Sequence, residues 1–442
     1  MTGTAGTGIL RENRDFRRYW TGSTLSTLGS QMSLIAFPLL VLSLGQGAAR
    51  AGLVATFSLV TRLALRLPAG GLADRADRRR LMLGADLVRL VALGSIPLAA
   101  GLGVLGYPQL LGVAIVEGCA TAVFGPASRI AVRDVVSDDQ LSDALAKEQA
   151  AMGTATLVGP FLGGWLFAVD RILPFTADAM SYAVSAILLL RMATRPRAAD
   201  PVSARAAGGG LAGVRWLARR PALLRALLFG SLLNLGGAAA EVAVVVTLRE
   251  QHAAGPVIGL VMACAGAGAV LGALAAPRVL ALLEPGPLFL AVGVIWTFGF
   301  IAFAVEPTPL VVGPVLVLLV FLTPPAGILV GQALLTESPR ELLGRVSTAA
   351  DFLMAGLASL GPAAAGLLLQ DAGIGRTWVA LAVLIAAGTV VAAVPLLRGG
   401  SLSAVVEAVV PVLEPDLVLH SDPAAGMESG LDDGGPGSLE AT

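Results

Sequence analysis

The sequence is almost without lysine. Of its 442 residues, 30 are lysine or arginine, and Lys147 is the single lysine among them. A Walker A phosphate loop needs a lysine directly after its glycines, but the stretch around Lys147, DALAKEQ, has no glycine. Transport driven by the chain's own nucleotide hydrolysis is therefore excluded. Acidic residues also number 30, and this lack of net positive charge argues against a nucleic acid partner.

Metal ligands and catalytic motifs are equally scarce. The two cysteines, Cys119 and Cys264, both lie in apolar runs, where a lone thiol usually packs as a small hydrophobic group. The two histidines, His252 and His420, are far apart in the sequence. We therefore predict no disulfide framework, no metal site and no cofactor. The G-x-S-x-G and H-E-x-x-H patterns of hydrolases are also missing, so we do not expect an enzyme.

The sequence is poor in charged residues and rich in long apolar runs. Only 14% of the residues are charged and 56% are hydrophobic, and the mean hydropathy is +0.81, whereas a soluble domain carries about 25% charged residues. Apolar runs of about 20 residues recur along the chain, and each is long enough to cross a hydrocarbon core about 30 Å thick. We predict an all-α membrane protein with twelve transmembrane helices. They lie near residues 20–44, 51–72, 81–103, 108–128, 150–169, 174–191, 225–247, 256–280, 286–305, 309–331, 346–369 and 376–397.

The distribution of cations predicts how the helices are oriented. With twelve spans, 23 of the 30 cations fall at or beyond the span ends on the side of the N-terminus, 4 fall on the other side and 3 lie within spans. Because cytoplasmic loops carry the excess of arginine and lysine, we predict that both termini are cytoplasmic. The segment 398–442 is acidic after Arg398, and its composition predicts a disordered tail.

The longest connection, 192–224, divides the spans into six and six. We therefore predict an N-terminal six-helix half at 1–191, a cytoplasmic linker at 192–224 and a C-terminal half at 225–397. The sequence GPFLGGWLF at 159–167 is echoed by GPAAAGLLL at 361–369, which favours a duplication. Chance repetition of Gly-Pro-small patterns is the alternative, since such patterns are common in membrane helices.

The loop after the second span carries the strongest motif, GGLADRADRRR at 70–80. It resembles the pattern G-x-x-x-D-R/K-x-G-x-R/K-R/K of the major facilitator superfamily, with Asp77 in place of the usual second glycine. The resemblance implies two pseudo-symmetric six-helix halves and a loop that latches one conformation. A basic loop that only fixes orientation would explain the arginines but not the aspartate and first glycine. The matching latch residues are Gly70, Asp74, Arg75, Arg79 and Arg80.

A second motif, TLVGPFLGGWL at 156–166 in the fifth span, is similar to the exporter signature G-x-x-x-G-P-x-x-G-G, with Ala155 in place of the first glycine. Small residues let helices approach closely, and proline bends a helix. We predict that this span seals one side of the cavity, although small-residue packing without directional meaning stays open. The matching residues are Gly159, Pro160, Gly163 and Gly164.

Further stretches narrow the resemblance to one branch of the superfamily. ADLVRL at 85–90, FTADAMSYAVSA at 175–186 and RELLGRVSTAADFL at 340–353 are similar to the twelve-span branch that includes enterobactin exporters and macrolide efflux proteins. One feature of many drug–proton antiporters is absent. The arginine of their fourth-span R-x-x-q-G pattern is replaced here by Ala114, four residues before Gly118.

Charged groups at membrane depth are costly and therefore functional candidates. Asp86 and Arg89 are spaced i, i+3 in the third span, so they share a helical face and can pair. We predict that Glu117 is the proton-binding group, with Asp86 as the second candidate. Permanent ion pairs that brace the helices are the alternative. The remaining candidates for proton or substrate coupling are Arg62, Arg66 and Glu241.

Asp178, near the start of the sixth span, is either a helix cap or a binding group.

The combined prediction is a carrier of the bacterial cytoplasmic membrane that acts as a monomer. It would export a small organic molecule, such as an antibiotic or a siderophore, in exchange for protons by alternating access. An importer or uniporter of the same fold is the first alternative. A membrane scaffold or receptor without transport activity is the second.

Overall fold

The computed structural model describes residues 8–193, 211–339 and 342–393, without the side chains of 74, 75, 138, 211, 392 and 393. Within these ranges, twelve helices are long and apolar enough to cross a membrane, as predicted. We number them spans 1 to 12. They are Arg14–Ser43, Gly47–Ala73, Arg78–Gly101, Tyr107–Val135, Leu141–Val169, Leu173–Leu190, Pro221–Glu250, Gly255–Leu282, Pro285–Val305, Pro309–Glu337, Leu343–Ala372 and Ile374–Val391.

Several spans begin earlier or end later than their apolar runs predict. Span 5 begins at Leu141, nine residues before the predicted start, and span 1 begins at Arg14. Hydropathy marks only the part of a helix inside the hydrocarbon core, whereas backbone hydrogen bonding continues into the polar interface. Asn13 caps span 1 through its side-chain oxygen, which satisfies backbone donors that a helix start leaves free.

Short turns reverse the chain between spans. Gly45 and Gly103 adopt positive φ angles of 72° and 71° after spans 1 and 3, a conformation that favours glycine. The membrane face that carries residue 14 and the connections 76–77 and 136–140 is called the terminal face. The face that carries 44–46, 102–106 and 170–172 is called the opposite face.

Two spans of the C-terminal half are interrupted. Span 10 consists of Pro309–Phe321 and Thr323–Glu337, and span 11 of Leu343–Ala358 and Gly361–Ala372. Prolines at the start of each second segment lack the amide hydrogen that a continuous helix requires. A further helix, Leu211–Ala218, lies within the predicted linker and packs on the first segment of span 11.

The twelve spans form the two predicted pseudo-symmetric halves. Span 6 packs on spans 1 and 3 in the first half, and span 7 packs on span 11 in the second. The core of the second half contains a group of contacting aromatic rings, whereas the first half buries charged side chains. Across the halves, the most extensive contacts join span 5 to span 8 and span 2 to span 11. We call these two contacts the 5–8 seam and the 2–11 seam.

Candidate functional site

The 5–8 seam is a contact between backbones. A Cβ atom on Gly164 would lie 2.2 Å from the carbonyl oxygen of Gly255, and one on Gly255 would lie 2.5 Å from the carbonyl oxygen of Gly164. A Cβ on Gly259 would lie 2.5 Å from the carbonyl oxygen of Pro160. No side chain fits between the helices at these points, and all of them lie toward the opposite face.

The other glycines of the fifth-span motif point inward to their own half. A Cβ on Gly159 would lie 2.4 Å from Cβ of Gln31, and one on Gly163 would lie 2.6 Å from the carbonyl oxygen of Met32. Both partners belong to span 1. Since consecutive residues of a helix are about 100° apart, the adjacent Gly163 and Gly164 face different neighbours. The glycines of the motif thus allow span 5 to pack closely against span 1 on one face and against span 8 on another.

The 2–11 seam repeats this arrangement. A Cβ on Gly52 would lie 2.2 Å from the carbonyl oxygen of Pro362, and one on Gly366 would lie 2.6 Å from that of Ala48. Pro362 and Gly366 follow Pro160 and Gly164 by 202 residues. The repeated Gly-Pro sequence therefore occupies matching positions, and both seams lie toward the opposite face.

One polar contact distinguishes the 2–11 seam. The backbone N–H of Ala363 donates to the hydroxyl oxygen of Thr56 over 2.9 Å. Ala363 is in the first turn of a helical segment, where backbone donors have no partner within the helix. Thr56 of span 2 thus caps a helix of the other half.

The halves also approach each other toward the terminal face, through side chains that remain partly exposed. Arg66 of span 2 donates to Asp351 of span 11 over 2.8 Å, and the two side chains are 40% and 56% exposed. Arg62, one turn away, is exposed and lies near the half-buried Glu241 of span 7. Two of the predicted coupling residues, Arg62 and Arg66, therefore face charged groups of the other half.

The predicted latch loop makes its described contacts within the first half. The guanidinium group of Arg79 donates to the carbonyl oxygens of Leu189 and Leu190, over 2.8 and 2.5 Å, at the end of span 6. Arg78, which the motif did not single out, is buried and lies 2.5 Å from Asp134. These contacts fix the loop to spans 6 and 4.

Gly70 and Arg80, the other two predicted latch residues with described surroundings, make few close contacts. A Cβ on Gly70 would meet nothing within 4 Å. Arg80 is exposed and lies 3.6 Å from Asp77, whose side chain caps span 3 in the place of the family's glycine. The side chains of Asp74 and Arg75 lie outside the described residues, so their latch role stays a prediction.

Asp86 and Arg89 lie 3.5 Å apart and are buried within the first half. Asp86 accepts a hydrogen bond from Ser185 over 2.7 Å. The Arg89 guanidinium carbon is 4.7 Å from the ring centre of Phe124 and 4.6 Å from that of Tyr182. Cation–π contacts of this kind stabilise a desolvated arginine. The pair thus lies between spans 3, 4 and 6.

Glu117 is held between spans 2 and 4. A Cβ on the neighbouring Gly118 would lie 2.5 Å from the carbonyl oxygen of Ser58, so the two helices touch there. This contact lets Ser58 donate to Glu117 over 3.1 Å, and Thr121 donates to the other carboxyl oxygen over 3.1 Å. The glutamate is half-buried. Hydroxyl groups, and no arginine, form its described hydrogen bonds.

Asp178 is not a helix cap, contrary to one of the two predicted roles. Its helix begins at Leu173, and the residue at the cap position is Ile172. Asp178 is 1% exposed and accepts a hydrogen bond from Ser33 of span 1 over 2.5 Å. The feature of the sequence that could have shown this buried role is an aspartate more than one turn inside an apolar helix.

The described residues contain no group of three histidine, cysteine, aspartate or glutamate side chains that could hold a metal ion. Twelve spans in two pseudo-symmetric halves, joined at two glycine seams, define a membrane transporter rather than an enzyme. Residues 9–427 match the family described as transmembrane secretion effector, and the chain belongs to this family of the major facilitator superfamily. The resemblance predicted from the sequence motifs is therefore confirmed.

Named relatives include exporters. The chain is 27% identical over 400 residues to the multidrug efflux pump Tap of Mycobacterium tuberculosis, covering 85% of this chain and 92% of that protein. It is 25% identical over 349 residues to the enterobactin exporter EntS of Salmonella typhimurium, covering 77% and 82%.

Solved structures share the fold. A bacterial homologue of the human lysosomal transporter spinster, in an inward-facing and unoccupied conformation, matches with a TM-score of 0.67 and 15% identity, covering 95% of this chain and 100% of that one. A bacterial homologue of the iron transporter ferroportin, in an inward-facing state, also matches with a TM-score of 0.67 and 15% identity, covering 86% and 98%.

Proposed function

We propose that this transporter exports a small organic molecule from a bacterial cell in exchange for protons. The observation that carries the proposal is the backbone contact of Gly164 with Gly255, which brings the two halves together at the opposite face. A seam without side chains can close tightly and separate without breaking polar bonds. The exporter names of its relatives support the outward direction.

The proposed mechanism is alternating access. In the present conformation, both seams hold the halves together at the opposite face, while Arg66 and Asp351 meet through exposed side chains toward the terminal face. Transport requires a second state in which the seams separate. Protonation of a carboxyl group in the first half, for which Glu117 and Asp86 are the predicted candidates, would shift the balance between the two states. The latch loop 70–80 would stabilise one of them.

The protein would act as a monomer in the inner membrane with both termini in the cytoplasm. The terminal face would then be the cytoplasmic one, and the two seams would close the external side in the present conformation. Reporter tags at the two ends, assayed for protease access in intact cells and in everted vesicles, test this orientation. Digestion of the tags in intact cells would contradict it.

The central experiment is uptake into everted membrane vesicles, across a panel of amphiphilic dyes and antibiotics. We expect uptake that needs a proton gradient and stops when an uncoupler is added. Replacements Asp86→Asn, Glu117→Gln and Asp74→Asn should each reduce this uptake. Uptake that persists after the gradient collapses would refute proton exchange. Accumulation of the compounds by intact overexpressing cells would indicate an importer, and binding without movement would indicate a receptor.

A further inference from the structure

We propose that Asp178 is the residue that carries the transported proton, at a site enclosed by spans 1, 3 and 6. This inference rests on the proposed proton exchange. It assigns proton binding to Asp178 in place of the two residues predicted from the sequence, Glu117 and Asp86. The proton would add to a carboxylate oxygen of Asp178 and give a neutral carboxylic acid. It would leave when the same O–H bond breaks later in the cycle.

The first argument is the burial of Asp178 without a direct cationic partner. Ser33 donates to Oδ2 over 2.5 Å, and Ser181 lies 3.4 Å from Oδ1. Both partners are neutral hydroxyl groups. An ionised carboxylate buried in this way loses hydration that hydroxyl groups alone do not replace. A carboxyl group in this setting is stable in its neutral form and becomes charged only when its surroundings change.

The second argument concerns the charges near Asp178. Arg89 of span 3 is the nearby cation, and it is paired with Asp86 at 3.5 Å. The other polar groups near Asp178 are the carboxyl group of Glu117 on span 4 and the hydroxyl group of Tyr182 on span 6. Span 1 contacts Asp178 through the hydroxyl group of Ser33 and the backbone at Gly29. Two buried aspartates therefore share one arginine, and the arginine is closer to the other one.

The third argument is the shape of the site. A Cβ on Gly29 of span 1 would lie 2.4 Å from Oδ1 of Asp178 and 2.6 Å from the Ser181 hydroxyl. The space for the carboxyl group thus exists because span 1 has a glycine there. A small movement of span 1 relative to span 6 would change the hydrogen bonding and the exposure of Asp178 together. This movement would couple the protonation of Asp178 to the conformation of the half.

The fourth argument is a polar path that leaves the site. Asp178, Tyr182 and Ser185 are spaced i, i+4 and i+7 and share one face of span 6. Tyr182 is 2.7 Å from the Ser30 hydroxyl and lies under the Arg89 guanidinium group. Ser185 donates to Asp86, near the terminal end of span 3. Polar groups therefore extend from Asp178 toward the terminal face inside an otherwise apolar half.

Infrared difference spectroscopy of the purified full-length protein tests the site with the proton itself as the probe. A protonated carboxyl group has a C=O stretching band that a carboxylate lacks. We expect such a band to titrate in the wild type, to vanish in Asp178→Asn and to remain in Glu117→Gln. Ser33→Ala removes one hydrogen bond and should shift the band without abolishing it. This second variant keeps the test decisive if Asp178→Asn fails to fold. A band unchanged in both Asp178→Asn and Ser33→Ala would overturn the proposal.

Reconstituted vesicles then separate this inference from the proposed function, with ethidium as the organic probe. In Asp178→Asn we expect loss of export driven by a pH gradient, while ethidium exchange at equal pH on both sides persists. Gradient-driven export that survives in Asp178→Asn but is lost in Glu117→Gln would overturn the assignment to Asp178 and leave proton exchange intact. Ethidium export by the wild-type protein that does not depend on the pH gradient would instead refute proton exchange itself.

Discussion

The two seams between the halves follow one plan but are built from different contacts. In the 5–8 seam, glycine lies on both sides of the contact, as Gly164 against Gly255. In the 2–11 seam, Gly366 meets Ala48 instead, and the hydroxyl of Thr56 accepts a hydrogen bond across the halves. The repeated Gly-Pro sequence thus lies at two equivalent contact lines. One relies on backbone packing, and the other adds a directional polar bond.

The largest effect is expected from an alanine in the 5–8 seam. In Gly164→Ala, the new Cβ would lie 2.2 Å from the carbonyl oxygen of Gly255, so the halves must separate there. Overpacking of this kind costs about 1–3 kcal/mol, which corresponds to a shift of roughly 5- to 150-fold in the balance of conformations. We expect reduced transport. We also expect greater labelling of a cysteine introduced into span 8 at the end that lies at the opposite face.

Gly153→Ala is the matched control for this prediction. It lies on the same span, but its Cβ would meet Val270 at an ordinary 3.9 Å. Transport and labelling should therefore stay near the wild-type level. Equal behaviour of Gly153→Ala and Gly164→Ala would show that the close backbone contact has no special role.

A smaller effect is expected at the polar contact of the 2–11 seam. Thr56→Val keeps the shape of the side chain but leaves the N–H of Ala363 without its acceptor. Loss of a helix cap costs about 1 kcal/mol, and we expect a lower melting temperature of the purified protein. Thr297→Val is the control, since the hydroxyl of Thr297 donates only to Gly293 within its own helix. A larger loss in Thr297→Val than in Thr56→Val would contradict the capping role.

The smallest effect is expected from the ion pair toward the terminal face. Arg66 and Asp351 are both substantially exposed, and exposed pairs contribute about 0–1 kcal/mol. A double-mutant cycle of Arg66→Gln and Asp351→Asn, read as thermal stability at low and high salt, measures the interaction directly. We expect a small coupling energy that salt reduces. Strong coupling that salt leaves unchanged would mean that the pair is shielded from water.

The number of spans could be predicted from the sequence because hydrophobic length is a local property of the chain, and the fold followed from the resemblance of the motifs at 70–80 and 156–166 to a known superfamily. The partners of the motif glycines could not. Gly163 and Gly164 are identical in type and adjacent, yet one contacts span 1 and the other span 8. Which neighbour a helical face meets depends on the packing of all twelve spans, and a single sequence does not encode it in any local pattern.

The candidate site was predicted unevenly for a similar reason. The i, i+3 spacing of Asp86 and Arg89 brings them to one helical face, so their proximity follows from helix geometry. The surroundings of Asp178 depend on Ser33, which is 145 residues away in the sequence. The position of Asp178 near the start of span 6 suggested a cap, but it lies five residues after Leu173, inside the helix. Contacts between distant spans were the missing information.

The interruptions of spans 10 and 11 have a mechanical consequence. Span 11 contributes to the 2–11 seam through its second segment and to the Arg66–Asp351 pair through its first. Because span 11 is interrupted between Ala358 and Gly361, a bend there would change the Arg66–Asp351 contact without moving the seam. Span 5, the corresponding helix of the first half, is continuous from Leu141 to Val169. We therefore expect the first half to tilt as a rigid body and the second half to bend within span 11 as well.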